Sequence, residues 1–176
     1  MGLDITAYKK LKAFNGQYND GTDEVLNVET GLLVGWDDYF KPCINRNYVE
    51  RATDVNEDQF YTFEDSIGFR AGSYGGYNNW REQLAKLAGY PCLDGEGDRH
   101  LYSNGAWKAH NGAFWELINF SDCEGVIGTE VSKKLLKDFI DFEESAKQVG
   151  GYFHELYNEW KTAFEYAGEN GAVDFH

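Results

Sequence analysis

Leu3, Ile5 and Ala7 alternate with Asp4, Thr6 and Tyr8, and this period of two predicts a first strand within residues 3–14. Turn chemistry follows in "NGQYNDGT", dense in Asn, Gly and Asp. "EVLNVETGLLVGW" then offers two short strands around Gly31, and the irregular, acidic stretch 37–60, with Pro42 as a breaker, reads as a long loop. "SIGFRAGS" predicts a short strand running into glycines. The period changes to that of a helix at Trp80, Leu84, Leu87 and Ala88, with Asn78 or Asn79 as its cap, Glu82 closing a capping box, and Gly89 and Pro91 ending it. Beyond a glycine-rich loop at 94–98, "GAFWELINF" reads as a short, buried helix.

The last third carries the strongest pattern. Val131, Leu135, Phe139, Phe142 and Ala146 recur at helical spacing after Thr129, which reads as the cap; Gly150 and Gly151 end that helix. Phe153, Leu156, Trp160, Phe164 and Ala167 form the stripe of a second helix, stopped by Gly168. The two predict an αα-hairpin laid against a sheet. The expected fold class is therefore α+β: a small N-terminal antiparallel sheet packed against helices, with a C-terminal αα-hairpin, in one domain over 1–176.

Composition supports a buried core. Aromatic residues make up 16% of the 176-residue chain, which argues against disorder. The 30 acidic and 16 basic residues leave a net charge of −14, which disfavours nucleic acid and anionic membranes; such a surface would attract a basic partner, but solubility alone is the plainer reading of it. No apolar run is long enough to span a bilayer, and the opening "MGLDITAYKK" has no signal-peptide pattern. Cys43, Cys92 and Cys123 are an odd number without CxxC spacing, so reduced thiols and a cytoplasmic setting are expected.

Candidate chemistry is sparse. Gly72, Ser73, Gly75 and Gly76 lie between a predicted strand and a helix start, where free N–H groups favour an anion; Arg70 and Asn78 flank them. The run matches neither GxGxxG nor GxxxxGK[ST], and a tight turn with positive φ at Gly75 or Gly76 needs the same glycines. Asp122, Cys123 and Glu124 in "FSDCEG" form a second candidate loop, with His100 or His110 as conceivable partners of the thiol. Two acidic neighbours, however, disfavour a thiolate. Asp94, Glu96 and Asp98 alternate as in a Ca²⁺ loop but lack its glycine and its final glutamate. Cys92, His100, His110 and Cys123 lack the close pairs of a zinc site. Tyr74, Tyr77 and Trp80 in "SYGGYNNW" could stack bases, yet a single-strand binder also needs a cationic groove; packing between strand and helix is the plainer reading. No metal or cofactor is implied.

Four stretches, "MGLDITAYK", "FRAGSYGGYNNWREQLAKLAGYP", "GAFWELINFSDCEGVIG" and "GAVDFH", resemble a group of small uncharacterised proteins encoded by tailed phages and prophages. The resemblance is spread from end to end and implies a setting, the cytoplasm of an infected bacterium, and an accessory role in infection. It carries over no catalytic or binding residue. The expected function is an acidic accessory protein that acts by binding a host or phage protein. The alternative is a binder of, or enzyme on, a small phosphate-bearing ligand at the glycine-rich turn 72–77.

Overall fold

A computed structural model describes residues 2–95 and 100–176. The strands are β1 (Gly2–Lys9), β2 (Lys12–Phe14), β3 (Gly16–Tyr18), β4 (Val25–Asn27), β5 (Leu33–Val34), β6 (Phe60–Thr62), β7 (Asp65–Ser73), β8 (Leu93–Asp94), β9 (His100–Leu101), β10 (Gly125–Gly128) and β11 (Ala172–Phe175). The helices are α1 (Tyr74–Leu87), α2 (Tyr102–Ala109), α3 (Trp115–Ile118), α4 (Thr129–Asp141), α5 (Glu143–Val149) and α6 (Gly151–Gly168). The class is α+β, as the patterning predicts.

The main sheet has four antiparallel strands in the order β10-β11-β1-β7. Two of them come from the C-terminal half, so the sheet is not built from the N-terminal segment alone. β11 is a central strand, pairing Thr6 with Asp174 on one side and Val126 with Asp174 on the other.

Alternation then sorts the side chains onto two faces. Leu3, Ile5, Ala7, Ile127, Val173 and Phe175 face the helices and are buried with the α1 and α6 stripes. At the centre Trp160 stacks on Tyr77 at 5.6 Å and on Trp80 at 5.9 Å, while Phe139 meets Tyr157 at 4.6 Å. Two polar handles of this packing are satisfied, Tyr157 Oη donating to the Phe139 carbonyl at 2.7 Å and Trp80 Nε1 to that of Phe153 at 3.2 Å, whereas Tyr77 Oη and Trp160 Nε1 are buried without a protein partner among the described residues.

α4 and α6 pack together as the hairpin pattern predicts. The first arm is not one helix, however: it breaks at Phe142, with φ −102° and ψ 5°, and resumes as α5. Gly150, at φ 66° and ψ −166°, makes the turn into α6.

Three helix starts take their caps from distant carboxylates. Glu82 does not close a capping box on α1; it accepts from the N–H groups of Tyr102 and Ser103 at 2.5 and 2.9 Å and so caps α2. Asp54 accepts from Glu130 N at 3.1 Å at the start of α4, a role the sequence assigns to Thr129. The Thr129 hydroxyl instead donates to the Gly171 carbonyl at 2.8 Å. Asp138 accepts from Phe114 N at 2.8 Å, just ahead of α3. These contacts tie local elements to remote ones, which a local sequence rule cannot express.

The other face of the main sheet is half covered. Phe40, Ala52, Val55 and Tyr61, from the long loop and β6, pack on Val126 and Ala172. Beside them Phe14, Val25 and Phe60 make a small core under the three-stranded sheet β3-β4-β5. Thr6, Ser66 and Asp174 stand on the part left open.

Candidate functional site

The glycine corner is a helix start with its own cap. α1 begins at Tyr74, ahead of both asparagines expected to cap it, and Ser73 is the N-cap, its Oγ accepting from Gly76 N at 3.1 Å. Gly75 and Gly76 therefore sit in the first helical turn and have no positive φ. The positive φ falls on Gly72, at 108°, beside a bulge where Leu3 pairs with Gly72 but Asp4 with Arg70. The Arg70 guanidinium lies across Gly2 and pairs with Asp4 at 3.5 Å. The corner thus spends its Gly76 donor and its Arg70 charge on itself.

Asn78 is the one member of that set brought to the second candidate loop. Its Nδ2 donates to Asp122 Oδ2 at 2.9 Å, and Arg81 is bonded to Asn78 Oδ1 and lies 3.9 Å from Asp122. Arg81 also donates to the carbonyls of Ile118 and Phe120, at 3.2 and 2.5 Å, and its guanidinium stacks on Tyr77 at 4.6 Å. Asp122, Cys123 and Glu124 border one cleft of about 720 Å³, shared with Arg46, Tyr48, Glu57, Arg81 and Trp107, and Asn78 reaches it only through its bond to Asp122.

The cleft's cations are committed. Arg46 is paired with Glu57, and Arg81 holds the 118–122 backbone in place. Cys123 is exposed, its Sγ 3.5 Å from Ser121 Oγ. Neither histidine considered for the thiol serves it: His100 pairs with Asp94 at 2.5 Å, and His110 ends α2 in a left-handed conformation. All three cysteines are free, and no group of three metal-ligating side chains occurs among the described residues. The Asp94–Glu96–Asp98 alternation lies partly outside the described residues. Tyr77 and Trp80 are buried, so neither is offered to a base.

Sequence reasoning passed over a second cleft, of about 470 Å³, on the open half of the sheet. Its floor is Thr6 and Tyr8 of β1, Ser66 of β7 and Asp174 of β11, and its walls are Tyr18, Trp36, Tyr39, Phe40 and Phe63. Tyr8 stacks on Phe40 at 4.5 Å. His176 Nε2 lies 2.9 Å from Thr6 Oγ1. Burial lifts the Asp174 carboxyl to about 7, against a smaller lowering by the Phe175 N–H, and no ion pair to Asp174 occurs among the described residues. Burial, and then the nearby Asp174, push the Tyr8 phenol up to about 12.

The rim of this cleft continues into the small β3-β4-β5 lobe. Between Lys12 and Lys41 the chain has no Lys or Arg and six carboxylates: Asp20, Asp23, Glu24, Glu29, Asp37 and Asp38. The same lobe exposes Tyr18, Val28, Leu32, Leu33 and Trp36, with Leu32 and Trp36 at 67% and 68%. β5 pairs with β4 alone, so its outer edge is open. The charge run was legible in the sequence; the apolar side chains beside it were not, since nothing in "GLLVGW" tells an outward Leu33 from an inward Val34.

No helix among the described residues is long and apolar enough to cross a membrane. No family model, curated protein or solved structure matches the chain.

Proposed function

We propose that this protein is a binding protein, and that the β3-β4-β5 lobe is the surface through which it holds a basic protein partner. The observation that carries the reading is the coincidence, on one small lobe, of exposed Leu32, Leu33 and Trp36 with six carboxylates in a stretch that has no Lys or Arg between Lys12 and Lys41. Scattered exposed apolar residues are ordinary; a cluster of them rimmed by charge is the pattern of an interaction surface. An apolar open edge strand is also a hazard that proteins blunt, commonly with lysine. Here the hydrophobic side chains are kept and the edge strand β5 carries no lysine, as suits a surface that a partner covers. Apolar contact supplies the affinity, and the carboxylates steer the encounter and select a cationic surface. The likeness to phage-encoded proteins supports an accessory role in which that partner belongs to the host or the phage.

The test uses a peptide of alternating Arg and Leu, titrated into isotopically labelled protein and followed by backbone amide shifts. The reading expects shifts concentrated in residues 18–38, weakening with salt, and none with a Glu/Leu analogue. Shifts spread evenly over the protein's carboxylates, or no shifts, would overturn it.

A further inference from the structure

We propose that the cleft between the lobe and the main sheet is a receptor for one cationic side chain of the partner, an arginine or a lysine, seated on Asp174 between aromatic walls. This rests on the lobe reading and adds the element that selects the partner. Tyr18, Trp36, Asp37 and Tyr39 belong to the lobe and also line the cleft, so a partner lying on the lobe covers the cleft mouth.

The floor is made by register. Thr6 is the cross-strand neighbour of Asp174, and Gly68 stands on the far side of Thr6, leaving no side chain over that part of the sheet. The carboxylate is thus at the bottom of a recess. Its surroundings are Tyr8 and Thr6 from β1, Ser66 from β7, His176 beyond β11, and Asp37 and Lys41 from the wall segment. The nearest lysine does not answer it: the Lys41 ammonium rests over the Phe60 ring, 4.6 Å from its centre. A recessed carboxylate with no internal ion pair, walled by Trp36, Tyr39, Phe40 and Phe63, matches a guanidinium or ammonium, which gains a charge-assisted contact and ring faces together. Because burial holds the carboxyl protonated up to about pH 7, a cation that enters below that pH displaces a proton.

Two probes decide the matter. N-acetyl-arginine methylamide, titrated at pH 6.5 while the Asp174 carboxyl carbon is followed by NMR, is expected to shift that signal to the ionised value and release a proton to the buffer. The urea-bearing citrulline analogue is expected to do neither. An unmoved Asp174 signal at saturating arginine amide would overturn the cleft proposal. With the Arg/Leu peptide, Asp174→Asn is expected to weaken binding by about tenfold or more, the scale of one charge-assisted contact. Exchanging the peptide's arginines for citrulline should cost the parent protein more than the variant. If the peptide shifts residues 18–38 equally in both proteins, the lobe reading stands and the cleft proposal falls. If the peptide does not bind but the arginine amide does titrate Asp174, the lobe reading falls and the cleft remains a cation site.

Discussion

Asp174→Asn should make the protein more stable at pH 8 while leaving it nearly unchanged at pH 4. Burial raises the Asp174 carboxyl from its ordinary 3.8 to about 7. Between those values the folded protein holds a proton that the unfolded chain has released. The associated stability is present in full below pH 3.8 and is lost as pH rises through 7. Each pH unit across the window removes up to about 1.4 kcal/mol, so the ceiling is about 4 kcal/mol. The side chain keeps some contact with solvent, which screens the charge and brings the expected figure to about 2–3 kcal/mol. Asparagine keeps the acceptor for the Phe175 N–H but carries no charge at any pH. Urea unfolding of parent and variant at pH 4, 5, 6, 7 and 8 gives the stability difference directly, because the other titrating groups are common to both and cancel. The difference should open steadily above pH 4 in favour of the variant. Parallel curves, or a variant less stable at pH 8, would refute the buried-carboxyl argument.

Phe139→Ala should cost about 3–5 kcal/mol, because the ring is fully buried against Phe114, Tyr157 and Phe164; an unchanged thermal midpoint would contradict this. At the glycine corner the sites should separate. Gly72→Ala should destabilise by about 1 kcal/mol or more for its positive φ, whereas Gly75→Ala, in a helical turn with nothing within 4 Å of the new methyl, should be neutral or stabilising by up to about 1 kcal/mol. Chemical denaturation of both variants checks the ordering. Asp54→Ala should cost about 1 kcal/mol by uncapping α4, read as faster amide exchange at Glu130.

The periodic helices were legible because their signal is local. The stripe of α6 names its buried residues directly and the Leu3–Ile5–Ala7 alternation names the inner face of β1, while the α1 stripe gives Trp80 and Leu84 but takes in the half-buried Leu87 and Ala88 and leaves out the buried Tyr77 and Ala85. What stayed hidden depends on distant partners. β11 is four residues long, and it is a strand only because β1 and β10 flank it. Glu82 has the spacing of a local capping box, yet its carboxylate is taken by α2. Asn78 and Asp122, read as members of two separate motifs, are joined across 44 positions of sequence. In the sequence Asp174 is one of 30 acids, and it becomes a recessed carboxylate only when the register sets it beside Thr6 under the aromatic wall.

Docking of a basic partner on the lobe can be read by site-specific photo-crosslinking in the cells that produce the protein. A photoreactive residue at Leu33, on the lobe, is compared with one at Ile140, which is similarly exposed on α4. A discrete adduct is expected from position 33 alone, to a protein with a basic surface, and is lost when Asp23, Glu24 and Glu29 are changed to lysine. Equal adducts from both positions, or an adduct from position 33 that survives the charge reversal, would contradict it.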